Sequence, residues 1–402
     1  MTSLQKVRMK DLSVVPAVGR ACREAKKILT HNNVGPCDGL PRTAGWGYPE
    51  PYTRDMMIVA LATTAIQDRV LMRGTRLTLE GLARNQSPLG HIPSYAQDGD
   101  NRGASDTTPL FLIGLAAYRR ATNRVRFLEP HAKKALTWLA YQSPEDRVVL
   151  AQQPTSDWRD EQWVAGYPLF LNVLLYAALR LHDRHESSAV LHGMLNQTTM
   201  ESMGPHYHQG LVVPDQPFYA LWAYKSYGSR RFDLLGNSLA ILTGIAEPAR
   251  ARAIVEYVEQ NIDIMRQTGQ LVLESPPCLF PYIGPFDRDW QPRYETYCQP
   301  GHYHNGGVWP FIVGFYIAAL VAAGWTDRAR DRLKHLTKLV RPAYNPELKY
   351  GFNEWFEARS GLPRGNDWQS WSASMYLYAA ACVATGKTPL FDECRAASPG
   401  WQ

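Results

Sequence analysis

Charge of one sign is nowhere concentrated in this 402-residue chain: the net charge is +6 and no run reaches five basic residues. That excludes the basic arm of a nucleic-acid binder. The six cysteines, at 22, 37, 278, 298, 382 and 394, include no Cys-x-x-Cys pair, so a zinc ribbon is excluded. The first twenty residues lack an apolar core; no secretory leader is expected, and the cysteines read as free thiols in a reducing cytoplasm. The longest apolar stretch, 308–324, is interrupted by Pro310, Gly314 and Gly324 and is too short for a membrane span. Strand-like alternation is scarce, with 271–275 the one candidate. No low-complexity linker divides the chain, so residues 1–402 read as a single domain. Self-association is left open.

What the chain has is helical periodicity. Apolar residues recur three and four apart after "TRDMM", "SDTTP" and "GYP", and other segments read as helix at about 14–30, 73–84, 127–142, 187–199, 233–244, 247–263, 326–340 and 369–385. With the apolar run after Pro310 this makes about twelve helices. Their connectors alternate between short ones, such as 122–127 and 324–327, and long ones rich in Gly, Pro and aromatics: 41–52, 87–106, 143–165, 200–230, 264–308 and 341–368. Long loops in a compact chain tend to be functional. Six helical hairpins with every long loop on one face predict an all-α fold, an (α/α)6 barrel.

The long loops set carboxylates beside aromatics: "GWGYPEPYTRDMM" (45–57), "SDWRDEQWVAGYP" (156–168), "YHNGGVWP" (303–310) and "NEWFE" (353–357). Carboxylates, amides and guanidinium groups hydrogen-bond sugar hydroxyls, and aromatic faces stack on the apolar face of a sugar ring. The candidate contacts are Trp46, Tyr48, Arg54, Asp55, Asp106, Trp158, Trp163, Trp309, Trp355, Gln369 and Trp371, around a concave site for a small carbohydrate. Asp55 and Asp106 also suit helix N-termini. His302 and His304 form a His-x-His pair, but no third ligand accompanies them at a recognisable spacing, so no metal is expected.

Two carboxylates stand where no helix cap is needed. Asp160 lies between Trp158 and Trp163, and Glu354 precedes Trp355 and Phe356. Apolar walls raise a carboxyl pKa and keep a general acid protonated. Breaking a glycosidic bond takes two such groups, one to protonate the leaving oxygen and one to act on water or carbon. Asp157 competes with Asp160 for the first role, and Glu357 with Glu354 for the second.

These segments resemble the (α/α)6-barrel inverting glycoside hydrolases, in particular the alkaline/neutral invertases, and more loosely the glycogen-debranching amylo-α-1,6-glucosidases. "YHNGGVWP" is similar to the family's Tyr-His-Asn-Gly-Gly-Ser-Trp-Pro. Further similar segments are "SDTTPLFLIGLAAYRRATN" (105–123), "DWRDEQWVAGYP" (157–168), "FDLLGNSLAILTGIA" (232–246), "FNEWFEARSG" (352–361) and "WQSWSAS" (368–374). The resemblance implies Asp160 as general acid, Glu354 as general base, inversion at the anomeric carbon, and no metal or other cofactor. It implies that His304, Asn305 and Trp309 line the sugar pocket while Gly306 and Gly307 let backbone approach the ligand. Glu161-Gln162 stands where the family has Arg-Arg, and "WFEA" where it has Tyr-Tyr-Asp-Gly; these departures bear on the choice of sugar. The expected substrate is sucrose-like or a short α-glucoside, with 1,6-linked or glycerate-linked glucose next. A sugar 2-epimerase using His91, His302 and His304, and a non-catalytic sugar-binding barrel, are the readings of other classes.

Overall fold

The computed structural model describes residues 4–13, 15–101, 103–143, 148–197, 210–224, 227–396 and 398–401. Twelve of its helices alternate in character. α1 (Pro16–Asn32), α3 (Arg69–Arg84), α5 (Glu129–Tyr141), α7 (His185–Leu195), α9 (Pro248–Gln267) and α11 (Thr326–Leu339) each bury one stripe and expose charged residues. α2 (Thr53–Ile66), α4 (Thr107–Thr122), α6 (Leu169–Leu181), α8 (Leu234–Thr243), α10 (Pro310–Ala322) and α12 (Ser370–Thr385) are buried almost all round. A helix that is apolar on every side needs protein on every side. That requirement is met by a ring: α2 packs on α4, α4 on α6, α6 on α8, α8 on α10, α10 on α12, and α12 back on α2. The amphipathic helices lie outside it, so the expected (α/α)6 barrel is the observed architecture.

Small residues bring the inner helices together. A Cβ on Gly314 of α10 would lie 2.7 Å from the Met375 carbonyl oxygen of α12 and 2.8 Å from its Cβ. A short helix, α13 (Phe391–Arg395), packs on α6 and α8. Its Arg395 donates to Leu242 O near the end of α8, and its Glu393 pairs with Arg120 near the end of α4. This covers the end where the inner helices finish.

Chain direction places the loops. Each inner helix from α2 to α10 runs into the following outer helix through a short turn, and α12 leads to α13, whereas 33–52, 85–106, 142–168, 196–233, 268–309 and 340–369 lead from an outer helix to the next inner one. All six long connectors therefore gather at the N-terminal ends of the inner ring. They carry short strands that the sequence reading missed. β1 (Tyr167–Pro168), β2 (Ala220–Tyr224), β3 (Tyr227–Asp233) and β4 (Leu279–Phe280) form an antiparallel sheet in that order. β5 (Trp355–Phe356) pairs with β6 (Pro363–Arg364). The strand expected at 271–275 does not form: Leu271 N–H bonds back to Met265 O at the end of α9, and Val272 N–H bonds to Ala358 O. Residues 200–209 and 225–226 of the expected loop 200–230 lie outside the described residues, as do 198–199 of the expected helix 187–199, 144–147 of the expected loop 143–165, 102 of the expected loop 87–106 and 14 of the expected helix 14–30. All six cysteines are free thiols, and no helix among the described residues is long and apolar enough to cross a membrane.

Candidate active site

Four of the six long connectors meet in one cavity. The first connector supplies Thr43, Tyr48 and Tyr52, and the first turn of α2 adds Arg54 and Asp55. The connector into α6 supplies Trp158 and Asp160, the connector into α10 supplies Tyr303, His304 and Trp309, and the connector into α12 supplies Glu354 and Gln369, with Trp371 just inside the helix.

The walls are interlocked aromatics. Trp158 meets His304 edge-on at 5.0 Å and Trp309 at 5.4 Å, His304 stacks on Trp309 at 5.6 Å, and Trp371 stacks on Phe311 at 4.1 Å. Such locked rings hold polar groups in fixed directions. Trp158 Nε1, Trp371 Nε1, His304 Nδ1 and Gln369 Oε1 have no partner within the protein. Buried polar atoms are normally bonded, so these donors and acceptors suit a ligand that carries several hydroxyls.

Three carboxyl groups face this space. Asp55 is buried, and its carboxyl is pushed up to about 8, chiefly by burial and next by the nearby Glu354, against the pull of Arg54. Glu354 is pushed up to about 7 by burial and by the charge of Asp160. Its Oε2 accepts the Asn366 N–H at 3.2 Å, and its own N–H donates to Asn366 O at 3.0 Å. Asp160 is also raised, first by the desolvating walls and then by Glu161 and Asp106 beyond the opposing Arg54. Its side chain nonetheless keeps 59% of its surface open to solvent, so it stands toward the mouth while Glu354 lies in the wall. His304 Nε2 is 3.8 Å from Asp160 Oδ1. Burial, with the Arg159, Arg54 and Arg293 charges, holds the His304 pKa well below its ordinary value, which favours the neutral ring.

The competitors for the two roles lie elsewhere. Asp157 is fully buried and turned away: Oδ1 accepts the Arg159 N–H at 2.7 Å and Oδ2 the Gln152 amide at 3.0 Å. Glu357 is bound to Arg364 and Ser360. Of the residues expected to touch a sugar, Tyr48, Arg54, Asp55, Trp158, His304, Trp309, Gln369 and Trp371 line the cavity. The others do not. Asn305 is fully buried and spends its amide on backbone, accepting from Ile283 N–H at 2.7 Å and donating to Ile283 O and Cys298 O at 2.8 Å each. Asp106, though at the N-cap position of α4, makes no cap hydrogen bond and instead takes both prongs of Arg54, at 2.5 and 3.0 Å. Trp46 is exposed and packs on Trp368; Trp163 is exposed, and its backbone N–H donates to the Tyr294 hydroxyl. Trp355 lies behind Tyr303 and Trp309. The glycines of "YHNGGVWP" make room for protein rather than ligand: a Cβ on Gly306 would strike the Tyr282 ring, and one on Gly307 would lie 2.6 Å from Tyr303 O.

Thr43, Tyr52 and Tyr303 line the cavity without having been singled out. Tyr52 and Tyr303 sit inside the quoted aromatic segments and could have been found there; nothing local marks Thr43. His91 hydrogen-bonds Thr108, and His302 faces Glu357. Among the described residues no cluster of three or more His, Cys, Asp or Glu side chains could hold a metal ion.

Residues 225–385 match the family described as alkaline and neutral invertase. Cytosolic invertase 1 of Oryza sativa subsp. japonica is 30% identical over 157 residues, covering 37% of this chain and 25% of the invertase. Glucosylglycerate hydrolase of Mycolicibacterium hassiacum is 31% identical over 100 residues, covering 25% of this chain and 19% of that protein. The matched part thus spans a quarter or less of these relatives' own length. The fold is similar to that of a GH63 mannosylglycerate hydrolase from Thermus thermophilus in complex with Tris and D-glycerate, with a TM-score of 0.65 at 15% identity over 89% of this chain and 99% of that one.

Proposed function

We propose that this protein is a glycoside hydrolase that cleaves a small α-linked sugar with inversion, using Asp160 as general acid and Glu354 as general base. The observation that carries the reading is that these two carboxylates, from loops far apart in sequence, face one aromatic-walled cavity. Asp160, toward the mouth, gives its proton to the glycosidic oxygen as the bond to the anomeric carbon breaks. A water attacks that carbon from the opposite face and passes its proton to Glu354. Trp158, Trp309 and Trp371 supply stacking faces, and Arg54, Asp55 and Gln369 supply hydroxyl contacts.

A sucrose-like disaccharide or short α-glucoside is the first substrate class, supported by the invertase match. Glycosides of glycerate are the second, supported by the two relatives named as hydrolases of glucosylglycerate and mannosylglycerate. An epimerase would need imidazoles facing one sugar, and of His91, His302 and His304 only the last lines the cavity.

The two carboxylates are electrostatically linked, so the pH profile belongs to the pair. A Glu354 value of about 7 places one limb of the bell near neutrality. Activity falls in acid as the base is protonated, and in alkali as the acid loses its proton. The test is a panel of sucrose, α-glucosides and glucosylglycerate, with NMR detection of the first anomer released. An α-linked substrate should release the β-anomer first. Asp160→Asn should lower turnover by about 10²–10⁴ and lose the alkaline limb, with partial rescue by an aryl glycoside of low leaving-group pKa. Glu354→Gln should fall as far without rescue. Retention of configuration, or no hydrolysis across the panel, would overturn the reading.

A further inference from the structure

Asp157, Trp158, Arg159 and Asp160 alternate in direction: Trp158 and Asp160 line the cavity, whereas Asp157 and Arg159 are buried behind it. Arg159 is fully buried with its guanidinium 4.2 Å over the Trp158 ring, and its Nη2 donates to Asp233 Oδ1 at 2.6 Å. That same oxygen accepts the Leu235 N–H at 3.1 Å, because Asp233 caps inner helix α8. Nε and Nη1 of Arg159 and Oδ2 of Asp233 have no partner within the protein. A buried charge held by so few bonds is an expensive way to fasten a loop, and its position points to a use beyond fastening.

We infer that Arg159 is a positioning residue for the acid: it backs Trp158, ties the Asp160 loop to the cap of α8, and keeps a positive charge behind His304. The inference rests on Asp160 being the general acid, as proposed above. His304 is the imidazole 3.8 Å from that acid. Were it protonated, it would favour the carboxylate form of Asp160 and strip the proton that the reaction needs. The groups that face His304 come from every side. Arg54 approaches from α2, Arg159 and Asp160 from the connector into α6, and Arg293 from the turn at Pro292–Glu295. Cys278 donates its thiol to His304 O at 3.3 Å, the Trp309 ring stacks on the imidazole, and the Tyr303 ring lies tilted against it at 4.0 Å. Three of these groups are guanidinium ions that disfavour imidazolium. All three are paired, Arg54 with Asp106, Arg159 with Asp233 and the half-exposed Arg293 with Glu161, so burial is what sets Arg159 apart. Arg159 supplies its charge from a fully buried site, where solvent screens it least.

The test compares three proteins. In Arg159→Met combined with Asp233→Asn, neither buried charge is left unpaired, and the asparagine keeps an oxygen for the α8 cap. Arg159→Lys keeps the charge but not the planar fork over Trp158. The double variant should lose on the order of 10²-fold in kcat/KM, mostly in kcat, as expected for a displaced catalytic group. The acid limb of its pH profile should move to higher pH, because His304 now protonates more readily there and favours ionised Asp160. Arg159→Lys should keep the wild-type limb and lose roughly tenfold in kcat, since charge is restored and shape is not. ¹⁵N NMR of labelled histidine reads the same change without substrate: the His304 titration should rise in the double variant and stay put in Arg159→Lys. A folded double variant with unaltered kcat, pH limb and His304 titration would overturn the inference. If the double variant does not fold, Arg159→Lys decides: wild-type kcat would overturn it. A wild-type protein inert toward every glycoside would overturn the proposed function instead, leaving the His304 titration to be read by itself.

Discussion

Glu354 is held by a residue with no side chain. Gly365 has φ +70°, and a Cβ there would lie 2.6 Å from the Glu354 Cβ and against its Oε2. The carboxylate could swing aside, but its Cβ cannot, so the base would have to move. Gly365→Ala is expected to lower kcat on the order of 10²-fold, the loss that follows when a reacting group is displaced by about 1 Å. Gly386→Ala is the control. It has the same sign of φ, +65°, but nothing within 4 Å of the added carbon. Both variants should lose thermal stability from the left-handed backbone, Gly365→Ala the more because of its clash with Glu354, and only Gly365→Ala should lose turnover. Equal kcat in the two would detach the glycine from the site. Asn305 makes the complementary point. Its place beside His304 reads as a sugar contact, yet its three backbone hydrogen bonds make it a clamp on the 283 and 298 turns.

At the scale of elements, the site depends on how closely the inner helices approach one another. Trp309 leads into α10, and Gln369 and Trp371 open α12. The contact between these two helices is set at Gly314 against Met375. Gly314→Ala forces a methyl group into backbone, which typically costs about 1–3 kcal/mol. Thermal melting should therefore fall, and because the same shift parts two walls of the cavity, KM for the substrate should rise. A lower melting point with unchanged KM would mean that the helix ends are positioned by their loops rather than by the ring.

Across the whole molecule, the cavity is built at the expense of stability. Asp55 and Glu354 carry pKa values of about 8 and about 7, against roughly 4 for carboxyls in an unfolded chain. A group whose pKa is raised on folding contributes stability that is complete below its unfolded value and is lost as pH rises through its folded value. The buried His304 and His182, held low, act in the opposite sense, but only below their unfolded value of roughly 6.5. Between about pH 7 and pH 8.5 the carboxyls prevail, so the melting temperature should fall across that interval. Asp55→Asn should be more stable than the wild type at the upper end and flatten the slope. A wild-type melting temperature that rises across the interval would contradict the raised values. Measuring binding alongside shows whether the stabilised variant has lost its affinity for sugar, the trade expected of a site residue.

Helix positions, the alternation of short and long connectors and the gathering of the long ones at one end were legible because they follow from local periodicity and chain direction. A helix apolar on every face, such as α10, must lie inside a ring wherever its partners come from. The aromatic and acidic character of the loops was legible for the same reason, and eight of the expected sugar contacts do line the cavity. The short strands were missed because two-residue pairings such as β5 with β6 leave no alternation to detect, and the longer β2 is buried along most of its length, so its residues do not alternate either. Only the tertiary structure decided which polar side chain of a loop faces the cavity and which spends itself on backbone. Asp160 and Asp157 are three residues apart in one loop, and Asn305 adjoins His304; composition and spacing treat them alike. What separates them is the set of partners, Gln152 for Asp157, Ile283 and Cys298 for Asn305, that only folding brings within hydrogen-bond reach.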